Sequence, residues 1–437
     1  MVDGPRRWWG GPLDTEHLAR TEVRRVRDAA AELAAARGLD IRIDTTDALT
    51  AASFAAHEHL RIDGRAPRAW GEFSGFVAGR DGWVRLHGNY PHHAAIIREV
   101  LGIDDRAGLE REVGRREVAE VETRIAAAGG IAVAVRAEHE WQGHPHHLAT
   151  AGDPWSSVDD RRGRPELSSL HEPIAAPAGA VEGRPATLPL TGVRVLDLTR
   201  VIAGPTCTQL LACLGADVLR IDPPHRPEIL AQHLSTGMGK RLALLDLRRD
   251  ADRLRELAAE ADVILDGYRP GALDAHGLGT EDLERTAPQA VLVSLSAWGE
   301  HGPWGGRAGF DSIVQAATGI AVRCGTDGRP GALPVQALDH ASGHRMAGHI
   351  LDGLVRGRAT TIRVNLLGAA RTLLAEPSPD ARAAPPAVGR EALEVPRVSV
   401  MSADGPLEAV PPPLRIEGRT LERPVGGYGA ATVGWTR

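Results

Sequence analysis

The chain has 437 residues, 43% of them hydrophobic and 25% charged, with 57 acidic against 51 basic side chains and a net charge of −6. That composition excludes a disordered chain, a fibrous repeat and a disulfide-stapled miniprotein, and the slightly acidic balance gives no electrostatic footprint for nucleic acid or an anionic membrane. No apolar run reaches the ~18–20 residues of a membrane-spanning helix, the opening MVDGPRRWWGGPLD carries charge without the apolar core of a signal peptide, and Cys207, Cys213 and Cys324, with no C-x-x-C pair, read as free thiols of the cytoplasm.

In chain order, residues 1–150 form a first segment, and 15–150 reads as mostly helical with one short strand-like segment. The Pro-, Gly- and Ser-rich stretch 151–189 reads as a linker. From 190 to about 375, apolar runs alternate with helical patterns. The tail 376–437 carries Pro377, Pro379, Pro385, Pro386 and Pro411 to Pro413 and is expected to wrap a surface rather than build a core. His92-His93 and His144-Pro-His-His147 invite a metal, but adjacent histidines point apart and no H-E-x-x-H or cysteine partner accompanies them. No metal is expected. Trp8-Trp9 and Trp83 read as packing residues.

The middle segment is the most legible. Val193 to Thr199 is a short apolar strand, Ala203-Gly204-Pro205 turns it into a helix running to Leu214, and Gly215 suits the residue after the helix end. Ala216 to Asp222 is the next strand, giving a βαβ unit with a parallel pair. The pattern repeats through strands at 241–247, 262–266 and 291–296 and helical stretches at 250–261 and 271–285. Alternation of this kind predicts a doubly wound α/β sheet, with ligands at the carboxyl ends of its strands.

A strand, a glycine turn, a helix and then Asp222 at the end of strand two is one route to a nicotinamide dinucleotide site. The turn Val201-Ile-Ala-Gly-Pro-Thr206 lacks G-x-G-x-x-G, and Pro205 removes an N–H from the loop that would cradle a pyrophosphate. An NAD-dependent oxidoreductase stays open as an alternative.

The stretch Leu190-Thr-Gly-Val-Arg-Val-Leu-Asp-Leu-Thr-Arg-Val-Ile-Ala-Gly-Pro-Thr-Cys-Thr-Gln209 resembles the opening of family III CoA transferases, the CaiB/BaiF family. The resemblance continues through Leu214-Gly-Ala-Asp-Val218, Gly239-Lys-Arg241, Tyr268-Arg-Pro-Gly271, Trp298-Gly-Glu-His-Gly-Pro303 and Gly309-Phe-Asp-Ser-Ile-Val-Gln315, ending near Ala337-Leu-Asp-His-Ala-Ser-Gly343. It implies a Rossmann-like CoA-binding catalytic domain at 190–375, a small α+β domain, and transfer of CoA from an acyl-CoA to a small carboxylic acid through an aspartyl anhydride and thioester. CoA and acyl-CoA are then substrates, no cofactor is tightly bound, and a homodimer is implied.

The position matching the family's nucleophile is Asp339, at or just before the start of a helix expected from about Ser342 to Arg356, where backbone N–H groups favour a carboxylate. Arg200, Val201, Ile202 and Ala203 match the loop that lines the CoA cleft, and Ile202 replaces a glutamine that some members carry there. Lys240, the only lysine of the chain, matches a lysine near the nucleotide phosphates. Gly267 and Tyr268 match an Asn-Phe pair that packs on adenine, and Ser296 and Trp298 match a lysine and a tyrosine of some members. The histidine that racemases of the family use falls at Phe310, which cannot exchange a proton, leaving His301, His340 and His344 as neighbouring candidates.

Two features depart from the family. Segments resembling the small domain, Asp81 to His93 and Val118 to Arg136, come first in the chain, an apparently permuted order. A glycine-rich loop that closes the acyl site in some members has no counterpart. A degenerate member that binds CoA or scaffolds a partner is therefore a second alternative.

Overall fold

The structure is a computed structural model and describes residues 8–68, 70–161, 187–376 and 395–436. Most of the 151–189 segment and the prolines at 377–386 lie outside the described residues.

Six parallel strands, Arg194–Leu198, Asp217–Asp222, Arg241–Leu244, Val263–Asp266, Val291–Ser296 and Thr360–Asn365, stand in the order 3-2-1-4-5-6. Ser156–Asp160 pairs antiparallel with the last of them, so a strand lies inside the stretch expected to be irregular. Its sequence, Ser-Ser-Val-Asp-Asp, has one apolar residue, and an edge strand of that kind leaves no hydrophobic signal. The order reverses between Arg194–Leu198 and Val263–Asp266, which pair in register from Val195 with Val263 to Leu198 with Asp266. In doubly wound sheets that reversal opens a crevice at the carboxyl ends of the strands.

Alternation along the first strand decides the two layers. Val195 belongs to the large core on one face, and Leu196 and Leu198 to a second core on the other. The first face carries the helices Ala203–Cys213, Ala337–Arg356 and Leu366–Ala375, and the second carries Leu247–Ala259 and Thr280–Thr286. The 271–285 stretch, expected to be one helix, divides into a short 3-10 turn at Asp274–His276 and the helix Thr280–Thr286, because Gly277 takes φ +64° between them.

The N-terminal helix Thr15–Ala36 is capped by Asp14, which accepts from His17 N at 2.9 Å. Its stripe of Leu18, Val23, Val26, Ala30 and Leu33 packs against Ala337–Arg356 in the large core, together with Trp8 and Trp9. A separate core sits under the antiparallel sheet of Gly75–Ala78, Trp83–Leu86 and Ala132–Ala134 and the helices Pro91–Leu101, Arg106–Val113 and Val118–Ala127. The 395–436 stretch forms short strands that pair with the N-terminal region, Leu407 with Ile62 and Ile416 with Ile43. It buries Leu407, Leu414 and Val425 fully enough to join the large core, more than a surface wrap would.

Candidate active site

Asp339 is the third residue of the helix Ala337–Arg356, which starts five residues earlier than the sequence pattern suggests. The helix has no cap from its own Gln336 side chain. Asp311, in the first turn of the helix Asp311–Thr318, does that work from outside: its Oδ2 accepts the Asp339 backbone N–H at 3.0 Å. Gln315 Nε2 donates to the other oxygen of Asp311. Both carboxyls are buried, Asp311 at 0% and Asp339 at 6% exposure. Burial pushes the Asp339 carboxyl well above the usual carboxylate range, and the neighbouring Asp311 charge adds to the rise. Burial lifts Asp311 to about 6, its rise held back by the N–H groups it caps and by Gln315.

The loop after the first strand comes against this helix because two glycines allow it. A Cβ on Gly343, four residues after Asp339, would lie 2.5 Å from the Ala203 carbonyl oxygen and 3.0 Å from Thr206 Cβ. A Cβ on Gly204 would lie 2.1 Å from Thr199 Oγ1. Between those points Val201 adopts φ +72°, an uncommon conformation for a β-branched residue. Glu228 holds it there: its Oε2 accepts Val201 N–H at 2.9 Å and Arg220 Nη2 at 3.0 Å, and Tyr90 OH donates to its Oε1. Arg220 is 1% exposed and also forks onto Asp222, with both contacts at 2.9 Å. Tyr428 closes the network, donating to Asp222 Oδ2 and accepting from Glu228 N, each at 2.7 Å. Arg220 leads the lowering that takes the Glu228 carboxyl to about 2 against its burial.

A cavity of about 240 Å³ opens beside Asp339. Val201 and Ile202 line it, together with Tyr90, Phe54 and Phe310. The loop and the candidate nucleophile thus face one space. Arg200 lies just behind the wall, its guanidinium 5.1 Å from the Tyr90 ring centroid and bonded to Pro227 O at 2.9 Å. Ala203 is buried under Gly343. Gly267 is exposed next to Thr199, and Tyr268 is half-buried against the second core, its N–H on Asp266 Oδ1 at 2.8 Å.

Three expected ligand residues are placed differently. Lys240 is 5% exposed, with Nζ 2.9 Å from Thr208 Oγ1, 3.3 Å from Pro205 O and 3.5 Å from Asp197 Oδ2, so it neutralises a buried aspartate and does not face a phosphate. Trp298 is 1% exposed and stacks edge-on with Trp304 at 4.7 Å in the large core. Ser296 is half-buried, its hydroxyl accepting from Gly299 N at 3.1 Å. Asp222 is likewise committed, to Arg220 and Tyr428, and is closed to a ribose.

Of the histidines, His340 lines the cavity beside Asp339 and is held neutral by burial, near 3. His344 is wholly buried against Phe54, and His301 is an exposed partner of Asp153 at 3.3 Å. In the His144–His147 cluster, His144 Nδ1 caps His146 N at 3.2 Å, and both ring nitrogens of His146 meet backbone, Trp304 N at 3.2 Å and Trp298 O at 3.0 Å. Among the described residues no three metal-ligating side chains converge, and no helix is long and apolar enough to cross a membrane.

Sequence reasoning missed Glu228, Tyr90, Tyr428 and Asp311. The one local signal was Arg220 and Asp222 two apart on a strand, hence on one face, where two buried charges demand further partners.

Fold and site together define a doubly wound α/β protein with a buried carboxyl pair, of which Asp339 lines a cavity. Residues 190–403 match the model of CoA-transferase family III. The chain is 36% identical over 183 residues to the Mycobacterium tuberculosis "probable fatty acyl-CoA transferase" Rv3272, covering 38% of this chain and 46% of that protein. It is 35% identical over 218 residues to the mouse succinyl-CoA:glutarate CoA-transferase, covering 44% of this chain and 50% of the mouse protein. It therefore spans about half the length of the curated relatives it matches. The crystal structure of Rv3272 covers 43% of this chain and 56% of its own, at 35% identity and a TM-score of 0.41.

Proposed function

We propose that the chain transfers CoA from an acyl-CoA to a small carboxylic acid, with the Asp339 carboxylate as covalent acceptor. The observation that carries this is Asp339 on a helix N-terminal turn, walling the same cavity as Val201 and Ile202 of the loop after the first strand. The relatives named for CoA transfer support it.

A carboxylate oxygen of Asp339 attacks the thioester carbonyl, the C–S bond breaks, and CoA leaves as thiolate, giving a mixed anhydride. The thiolate then attacks the aspartyl carbonyl, expels the donor acid as carboxylate and forms an aspartyl thioester. The acceptor carboxylate displaces the thiolate to form a second anhydride. The thiolate finally attacks the acceptor's carbonyl, giving the new acyl-CoA and restoring the Asp339 carboxylate. No proton is consumed, and each barrier is lower than that of direct exchange. Only the anion attacks, so the raised Asp339 pKa makes acylation quicken as pH rises.

In this reading Asp311 positions Asp339 through the backbone, and Glu228 holds the loop. Gly267, which is exposed, and Tyr268, which is half-buried, are the contacts offered to CoA. A homodimer in the cytoplasm is part of the proposal, the latter in keeping with three free cysteines.

The test is steady-state exchange between acyl-CoAs and free acids. Parallel double-reciprocal lines that vanish in Asp339→Ala support the proposal. Tight CoA binding without exchange points instead to the degenerate, CoA-binding reading.

A further inference from the structure

The cavity beside Asp339 has a chemical character that narrows the acyl group. Part of its wall is made of rings, Phe54, Trp70, Tyr90 and Phe310, with His87 stacked on Phe310 at 4.0 Å, and part of the uncharged polar side chains of Asn89, Gln232, Ser312 and Gln336. Among the described residues no lysine or arginine lines it. Two arginines stand next to the wall without lining it. Arg85 is sandwiched between Trp70 and Phe76, its guanidinium 4.7 Å from each ring centroid, and Arg200 is spent on Tyr90, Pro227 O and Glu228. The ionisable groups that do face the space are two acids, Glu58 and Asp339, and the histidines His57, His87 and His340. Burial lowers all three histidines, His87 and His340 to about 3, so they carry no positive charge at neutral pH.

A second carboxylate on an acyl chain would meet no cation here, would stand near the Glu58 carboxyl, and would lose its water shell. An apolar ring would lose nothing comparable and would find offset ring partners. A cavity of ~150 Å³ suffices for benzene, so 240 Å³ admits a ring with one or two further carbons.

We propose that this cavity takes the acyl group, and that the group is an uncharged monocarboxylic acyl unit about the size of an aromatic ring. The inference rests on the Asp339 reading above.

The experiment offers phenylacetyl-CoA and succinyl-CoA at equal concentration and follows the mass added at Asp339, while calorimetry titrates free phenylacetate and free succinate. The expected result is phenylacetyl labelling faster by at least ~100-fold, with phenylacetate binding tighter than succinate. Gln232→Arg supplies the missing cation on the wall, where the Gln232 side-chain oxygen has no hydrogen-bond partner to lose. In that variant the succinyl rate is expected to rise and the ratio to shrink at least tenfold.

Succinyl-CoA labelling as fast as phenylacetyl-CoA overturns the inference and leaves CoA transfer standing. A folded Gln232→Arg protein with an unchanged ratio overturns the cavity as the acyl pocket. Asp339 unlabelled by either thioester overturns the transferase reading and this inference with it, unless phenylacetate alone still binds, which upholds the pocket's selectivity while the chemistry falls.

Discussion

Gly343→Ala probes the contact that brings Asp339 to its loop. The added methyl would lie 2.5 Å from the Ala203 carbonyl oxygen, a backbone atom that cannot swing away, where ordinary contact begins at 3.4 Å. The two helices must separate by up to 0.9 Å, the difference of those distances. Overpacking of this kind costs about 1–3 kcal/mol, against about 1 kcal/mol gained by replacing a helical glycine with alanine. The net is a loss of about 1 kcal/mol, and a displacement near 1 Å slows acylation of Asp339 by about 100-fold. Gly348→Ala on the same helix is the control, since the atoms nearest its methyl belong to the flexible Arg25 side chain, the first 3.2 Å away at Nε. It is expected to gain most of the ~1 kcal/mol and keep its rate. Thermal unfolding and stopped acylation time courses measure both. Gly343→Ala as stable and as fast as Gly348→Ala would refute the close approach of these helices.

Asp339→Asn abolishes exchange yet stabilises the fold at pH 8. The folded chain keeps a proton on Asp339 that the unfolded chain has released, so wild-type stability falls as pH rises above about 4, the unfolded carboxyl's pKa, and this fall shrinks in the variant. Glu228→Gln acts in the opposite direction. The Glu228 carboxyl is lowered to about 2, so its contribution is whole above its unfolded pKa and is lost as pH falls toward 2. The variant loses about 3 kcal/mol at pH 7 and shows a shallower acid limb in urea titrations. Lys240→Met strands Asp197, which is 0% exposed, and costs about 3–5 kcal/mol. Below its melting point its CoA affinity, measured by calorimetry, matches wild type. A tenfold loss there would return Lys240 to the phosphates.

The central sheet was legible because each of its elements is a local pattern. Val195, Leu196 and Leu198 announce a strand alone, and Gly215 with φ +113° ends the helix where its sequence position implies. The motif draws attention to Asp339, but the helix carrying it begins before the sequence pattern suggests, because the cap comes from Asp311, 28 residues upstream. Ser156–Asp160 and the pairing of Arg61–Ile62 with the 405–409 strand are non-local and nearly without apolar pattern, so nothing in their own residues declares them. Lys240 shows the opposite error. Its match to a lysine near the nucleotide phosphates implies a ligand contact, whereas a buried Asp197 explains it: the slim ammonium reaches a carboxylate, a hydroxyl and a carbonyl in one tight space.

The most direct measurement is the intact mass of the protein mixed with an acyl-CoA and quenched within seconds, followed by hydroxylamine and peptide mapping. The account predicts a mass gain on wild type, a hydroxamate at residue 339, and neither in Asp339→Ala. A protein that binds acyl-CoA and exchanges CoA while residue 339 stays unmodified would contradict it.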